Sequence, residues 1–226
     1  CGGLIKLNNC VFENMLDDAV NVHGSFSIVH DAIDDYTVEM SRGHTFQVPG
    51  FRFAGEGDRI KFRNRYTGKP YATLTVDSVN NVNGFYFQVT FKEKVKDVLQ
   101  NESIADNITW QADVEMKNCI VRNNRARGIL ISTLGDVLIE NNQFKRSSNS
   151  SVFIPGFPSS WYESGRVQNI VIRNNLFENF GLGGGNAAVI KSIGYRANLH
   201  EKIQPPFYYH KNVVFENNTI NTFGRL

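Results

Sequence analysis

Two adjacent carboxylates, Asp17 and Asp18, stand at the head of the stretch Leu16-Asp17-Asp18-Ala19-Val20-Asn21-Val22-His23-Gly24. Neighbouring carboxylates repel, so near neutral pH one tends to keep its proton while the other stays ionised. Glycoside hydrolysis asks for that division: a protonated acid for the leaving oxygen and a carboxylate for the attacking water. Residues adjacent at the start of a strand point to different sides, so both acids face one substrate only if the backbone bends there. Read without context, the same dipeptide is also compatible with a solvated surface turn.

The elements that must position these acids are repeats. Ile5–Asn9, Val114–Asn118, Val137–Asn141, Ile170–Asn174 and Val213–Asn217 align without gaps, each a short alternating strand ending in Asn. Three residues beyond each Asn stands another apolar side chain: Phe12, Val121, Phe144, Phe177 or Ile220. A second strand follows in Ala19–Val22, Gly128–Ile131, Val152–Ile154 and Ala188–Ile190. The interval from Asn118 to Asn141 has the length of one solenoid coil, which buries its apolar positions only by stacking on its neighbours. Asn suits the turn because it tolerates the left-handed backbone conformation, and stacked amides can hydrogen-bond from coil to coil. A leucine-rich repeat would need regularly spaced Leu and a helical return, and neither is present. The expected fold is all-β, a right-handed parallel β-helix.

The first coil aligns with the second across 109 positions, far more than one coil needs, so a folded unit is inserted. Phe51–Phe53, Arg59–Phe62, Ala72–Val76 and Phe85–Val89 alternate in strand fashion between short Gly-, Pro- and Asn-containing turns. They predict a small antiparallel β-barrel or sandwich. The expected organisation is residues 1–24 as the first β-helix coil, 25–113 as the inserted barrel-like domain and 114–226 as the continued β-helix. Longer later intervals, with Pro155 to Trp161 in one and Gly181 to Gly185 with Pro205-Pro206 in the other, are expected to be loops.

The alignment sets Arg127 opposite Asp18, about one strand spacing away at roughly 5 Å, with Ser132 opposite His23 and Arg125 opposite Leu16. An Arg so placed holds a carboxylate ionised or clamps sugar hydroxyls; equally, Arg127 and Arg125 could form plain coil-to-coil ion pairs. His23 sits five residues from the acids, in a position that suits a structural His as well as a substrate-binding one. Trp161 is placed on an exposed loop, where an aromatic ring either stacks on a sugar face or caps an edge, and Glu163 stands beside it. Cys10 and Cys119 align as stacked neighbours, read as a reduced apolar pair. The run Gly181–Gly185 lacks the Lys and Ser or Thr of a phosphate loop.

Composition narrows the class. With 24 basic and 22 acidic residues and a net charge of +2, no basic surface for nucleic acid is indicated, and no apolar run is long enough to span a bilayer. Three cysteines in 226 residues suit neither a disulfide framework nor a zinc site. The start at Cys1 has no signal-peptide pattern and lacks the polar tether of a lipid-anchored cysteine.

Asp17–Gly24, followed after an inserted barrel by Asn124-Arg125-Ala126-Arg127-Gly128-Ile129-Leu130-Ile131, resembles glycoside hydrolase family 110, the α-1,3-galactosidases that remove terminal α-galactose. Polygalacturonases share a similar Asp-Asp before a strand and an Arg on a following coil. The long insertion and the Ala-Val-Asn-Val-His continuation favour the galactosidases. The resemblance implies an inverting hydrolysis that needs no metal and no cofactor, with Asp17 as proton donor and Asp18 as general base. His23, Arg125, Arg127, Trp161 and Glu163 are then the substrate-binding candidates, and the partner is a glycan or oligosaccharide ending in α-galactose; a homo-oligomer is left open. By the family pattern a third carboxylate lies one coil upstream of Asp18, before this chain begins. The chain is therefore expected to be a piece of a longer secreted protein, extracellular or periplasmic, whose signal peptide lies elsewhere, and to be inactive alone. The alternatives are a polygalacturonase-like hydrolase, which would gather more basic residues around the acids, and a non-catalytic β-helix adhesin or carbohydrate-binding module.

Overall fold

The computed structural model describes residues 2–43, 51–156, 161–194 and 209–222. Cys1, Pro158 and Pro205-Pro206, singled out above, lie outside the described residues. Within them the protein is all-β, built of strands and no helix, so no helix is long and apolar enough to cross a membrane.

Three stacks of parallel strands arise from the repeats. The first holds β1 (Gly3–Asn8), β9 (Ala112–Lys117), β12 (Asp136–Glu140), β16 (Asn169–Arg173) and β19 (Val213–Glu216). The second holds β2 (Val11–Glu13), β10 (Ile120–Arg122), β13 (Gln143–Lys145), β17 (Leu176–Glu178) and β20 (Thr219–Asn221). The third joins β3 (Val20–Ala32), β11 (Ile129–Ser132), β14 (Val152–Ile154) and β18 (Ile190–Ser192). Registers follow the repeat alignment: Ile5 pairs with Val114, then Val137, Ile170 and Val213, while Phe12, Val121, Phe144, Phe177 and Ile220 form a second row. The last coil strand begins at Ile190 rather than at Ala188.

Alternation turns Val114, Met116, Val121, Ile129, Ile131, Ile139, Phe144 and Phe177 into one shared core between the stacks. The Phe144 and Phe177 rings stack with centroids 5.1 Å apart. On the outer face of the first stack Lys6, Glu115, Lys117, Glu140 and Arg173 form a chain of ion pairs. Links of this kind add little to stability, because solvent screens them.

All five repeat Asn residues, Asn9, Asn118, Asn141, Asn174 and Asn217, have φ between 53° and 58°. The left-handed turn explains why Asn recurs there. The buried inter-coil amide ladder, however, belongs chiefly to the next residue. Asn142 Nδ2 donates to Asn175 Oδ1 at 3.0 Å, and Asn175 Nδ2 to Asn218 Oδ1 at 3.0 Å. The same row continues through Cys119, whose N–H donates to Asn142 Oδ1 at 2.9 Å, to Cys10, whose N–H meets Cys119 Sγ at 3.5 Å. Both thiols are free. The stacked cysteines replace the amide ladder in the first two coils.

Strand β3 leaves its stack after Gly24 and enters an antiparallel array with β4 (Thr37–Arg42), β7 (Tyr86–Phe91), β6 (Pro70–Asn81), β5 (Arg59–Asn64) and β8 (Ser103–Asn107). β8 pairs back onto β3, with Phe26 opposite Asp106 and Ile28 opposite Ile104, so the six strands close into a ring. Its interior is a separate core containing Val38, Met40, Ile60, Phe62, Leu74, Val76, Val89 and Phe91. One expectation fails here: Phe51–Phe53 is not a strand. Phe53 and Ala54 are buried in the ring's core, and the carbonyls of Phe51, Phe53 and Ala54 accept from side chains instead of a neighbouring strand, from Arg42 Nη2 at 3.2 Å, Asn107 Nδ2 at 2.8 Å and Arg52 Nε at 3.0 Å.

Candidate functional site

In the third stack Val20 and Val22 pack inward against Ile129 and Ile131, which leaves Asn21 and His23 on the outer face. Asp18 precedes this strand. The backbones run side by side, Ala19 N–H donating to the Arg127 carbonyl at 3.3 Å. Arg127 then reaches Asp18 Oδ1 twice, through its backbone N–H at 3.0 Å and its Nε at 2.7 Å. The Asp18 side chain is 4% exposed and that of Arg127 27%. The guanidinium carbon lies 5.1 Å from the centroid of the Phe153 ring, a cation–π contact that fixes its plane from the next coil. Phe153 stands in the lateral row that begins with Asn21 and passes through Leu130. Asp18, Arg127 and Asn21 therefore share one face.

Asp17 is exposed beside this pair. The chain bends at Leu16 and Asp17, after the left-handed Asn14, φ 58°, and Met15 N–H is caught by Asn124 Oδ1 at 3.2 Å. Arg125 behaves differently from Arg127. Its Nε donates to the Leu16 carbonyl and its N–H to the Met15 carbonyl at 2.9 Å, so it ties the turn to the next coil rather than reaching an acid.

Glu163 arrives from a distant loop. β15 (Glu163–Ser164) pairs antiparallel with β3, setting Glu163 opposite Ser25 and Ser164 opposite Gly24. Glu163 Oε1 accepts from Asn21 Nδ2 at 3.3 Å and lies 3.5 Å from His23 Nε2. With His23 Nδ1 against the Gly24 carbonyl, Nε2 carries a proton toward Glu163 only in the imidazolium form. Trp161, two residues before Glu163, is exposed at 55%.

The approach of β15 needs glycine. A Cβ on Gly24 would lie 2.4 Å from Ser164 Oγ, and one on Gly165, at φ +117°, would lie 2.1 Å from the Ser132 carbonyl oxygen. Ser164 Oγ in turn donates to Asp106 Oδ1 at 2.8 Å, and Asp106 faces Arg63 at 3.7 Å. Burial pushes the Asp106 carboxyl above the usual range, and Arg63, Ser164 and Lys61 oppose that shift. Among the described residues no group of three His, Cys, Asp or Glu side chains could hold a metal ion.

The structure thus pairs Asp18 with Arg127, with Asp17 adjoining, pairs His23 with Glu163 further along β3, and sets Arg125 in a backbone-bracing role. Sequence reasoning missed Asn21, Phe153 and the Ser164–Asp106–Arg63 chain. Asn21 had a signal, a polar residue between two inward valines; Phe153 had its repeat position; Asp106 had none.

A family model described as GLAA-B beta-barrel domain II matches residues 37–104, within the closed ring. The chain is 34% identical to alpha-1,3-galactosidase B of Akkermansia muciniphila over 222 residues, 98% of this chain and 28% of the relative. It is 30% identical to alpha-1,3-galactosidase A of Bacteroides fragilis over 224 residues, 99% of this chain and 36% of the relative. Over nearly its whole length the chain is similar to α-1,3-galactosidases. It spans between 28% and 36% of these relatives' own length. Alpha-1,3-galactosidase B of Bacteroides thetaiotaomicron, 29% identical over 226 residues, aligns with the same 99% of the chain and with 36% of its own length.

Proposed function

We propose that this chain is the part of an exo-acting, inverting α-1,3-galactosidase that carries the Asp17–Asp18 acid pair, and that its substrate is a glycan ending in α-galactose. The observation that carries this reading is the pairing of Asp18 with Arg127 across one rung, beside an exposed Asp17, in a chain similar to α-1,3-galactosidases. In the same proposal the three parallel stacks are coils of a right-handed parallel β-helix formed by residues 1–24 and 114–226, with residues 25–113 as the inserted barrel. A substrate on cell-surface or secreted glycans assigns the work to the periplasm or the exterior.

The chemistry follows from the contacts. Asp17, open to solvent, delivers a proton to the glycosidic oxygen as the bond to the anomeric carbon breaks. Asp18 has Oδ1 committed to two donors from Arg127, so it takes the proton of the attacking water through Oδ2, aided by an acid from an adjoining coil. Arg127 holds the Asp18 carboxylate in place, and Glu163, His23 and Asn21 present polar groups to sugar hydroxyls along the same face. Trp161 offers an aromatic plane at its edge.

The test uses the complete protein with an α-1,3-linked galactoside, following the first-formed galactose anomer by NMR. Inversion yields the β anomer first. Asp17→Asn and Asp18→Asn should each lower kcat by about a hundred- to ten-thousandfold while the protein stays folded. Near-wild-type turnover in both variants, or faster cleavage of polygalacturonate than of the galactoside, removes this function.

A further inference from the structure

Beyond the acids, β3 leads into a cavity of about 390 Å³ where the third stack meets the ring, lined by His23, Phe51, Phe53, Asp58, Asn107 and Trp110 among others. That volume is within the range of small-ligand pockets. Trp110 is 55% exposed, yet its ring is fixed. Its Nε1 donates to Asp58 Oδ2 at 2.8 Å, and the same oxygen accepts Asn107 Nδ2 at 3.0 Å and Gly55 N–H at 2.8 Å. Asp58 is 6% exposed, so a buried carboxylate with three donors anchors the edge of an indole whose face is open. Asn107 is itself occupied, its Nδ2 also donating to the Phe53 carbonyl at 2.8 Å and its Oδ1 accepting Thr109 N–H at 3.0 Å.

We propose that this cavity is a glycan subsite, with Trp110 as the plane on which a sugar ring stacks and His23 as the polar group at its mouth. The chemistry suits a saccharide. Asp58 is already satisfied, and the walls supply aromatic faces that match the C–H face of a pyranose. An aromatic plane held in place before the ligand arrives loses little freedom on binding.

The direction rests on the hydrolase reading above. From Asp18 to His23 the chain advances five residues, roughly 16 Å if extended, and the gap is bridged on the same face by Asn21 and Glu163. A ring in the cavity is therefore not the terminal galactose but a sugar at least two residues away. Because an exo-acting enzyme has no sugar beyond the terminal one, the cavity must take the leaving-group side of the glycan.

Two measurements on the complete protein test this. The first compares kcat/KM for an α-1,3-galactosyl disaccharide and for a tetrasaccharide with the same end. Wild type should prefer the tetrasaccharide, and Trp110→Ala should lower that ratio about tenfold or more, the scale of losing a buried aromatic anchor; Phe51→Ala should lower it less. A ratio unchanged in both folded variants, or no chain-length preference in wild type, overturns the subsite and leaves the hydrolase reading standing. The second measures calorimetric binding of the product trisaccharide, which lacks the α-galactose. Binding weakened about tenfold by Trp110→Ala in a protein that hydrolyses neither substrate supports the subsite while sinking the hydrolase reading. No binding of that trisaccharide to wild type overturns the subsite whatever the hydrolytic result.

Discussion

Replacing Arg127 by Met tests the junction on which the acid pair depends. The variant keeps the backbone N–H that reaches Asp18 at 3.0 Å, and it removes the charged donor at 2.7 Å together with the guanidinium's contact on the Phe153 ring. At a charge separation near 4 Å and an effective dielectric of about 20, the lost attraction is about 4 kcal/mol. Water entering the vacated space, on a side where Arg127 is 27% exposed, returns about half, leaving roughly 2 kcal/mol, or about thirtyfold in an equilibrium or a rate. Thermal unfolding of the complete protein and kcat on an α-1,3-galactoside separate two uses of the pair. If Arg127 sets the Asp18 carboxylate for reaction, kcat falls about thirtyfold or more and Arg127→Lys recovers part of it. If it only braces two coils, stability falls and kcat stays. A protein unchanged in both, within about threefold in rate, would show that Arg127 contributes nothing at Asp18 and would refute the reasoning.

Two further outcomes follow from the surroundings of the site. Gly24→Ala should destabilise by about 1–3 kcal/mol, because the new methyl would meet Ser164 Oγ at 2.4 Å; in a Ser164→Ala background the penalty should fall below about 1 kcal/mol, and equal penalties in both backgrounds would show that the clash is not the cause. His210 accepts Val167 N–H on Nδ1 at 3.2 Å and donates from Nε2 to the Ile193 carbonyl at 3.0 Å, so its proton is on Nε2. Burial holds its pKa below the ordinary 6.5; the Ile193 bond opposes this and Arg166 reinforces it. The unfolded chain therefore binds more protons between the two values, and stability present at higher pH is lost as pH falls from about 6.5 through the folded value. The protection factor of the Val167 amide, which removes the intrinsic pH dependence of exchange, should fall over that window in wild type and not in His210→Gln, and a pH-independent difference between the two would count against the titration.

The parallel registers were legible because a repeat aligns itself: the 109-, 23-, 33- and 43-residue offsets between the Asn turns are the offsets of the paired strands. The Asp18–Arg127 contact followed from the first of them. What sequence could not give was β8, whose five residues are all buried, so that no alternation betrays a strand. Ala105 faces the ring's core while Ile104 packs with Phe26 and Tyr209 outside it, and Asp106 faces Ser164. With both faces covered, the period of two disappears from the composition. Glu163 was legible as a residue near an aromatic on a loop, but its antiparallel docking on β3 depends on Gly24 and Gly165, two absent side chains whose purpose shows only when the strands meet.

The continuity of β3 ties the ring to the acid face. Residues Val20 to His23 pair in parallel with β11, and Phe26 to Ala32 pair antiparallel with β4 and β8, without a break between them. A hinge at the insertion point would let the ring drift relative to the acids; a single extended strand does not. β15 locks the crossing from above, Glu163 touching the coil residues Asn21 and His23 while Ser164 bonds to Asp106 of the ring. Loss of the ring would therefore remove one wall of the Trp110 cavity and the anchor that holds Glu163 over the site, and it would do so without touching Asp17, Asp18 or Arg127.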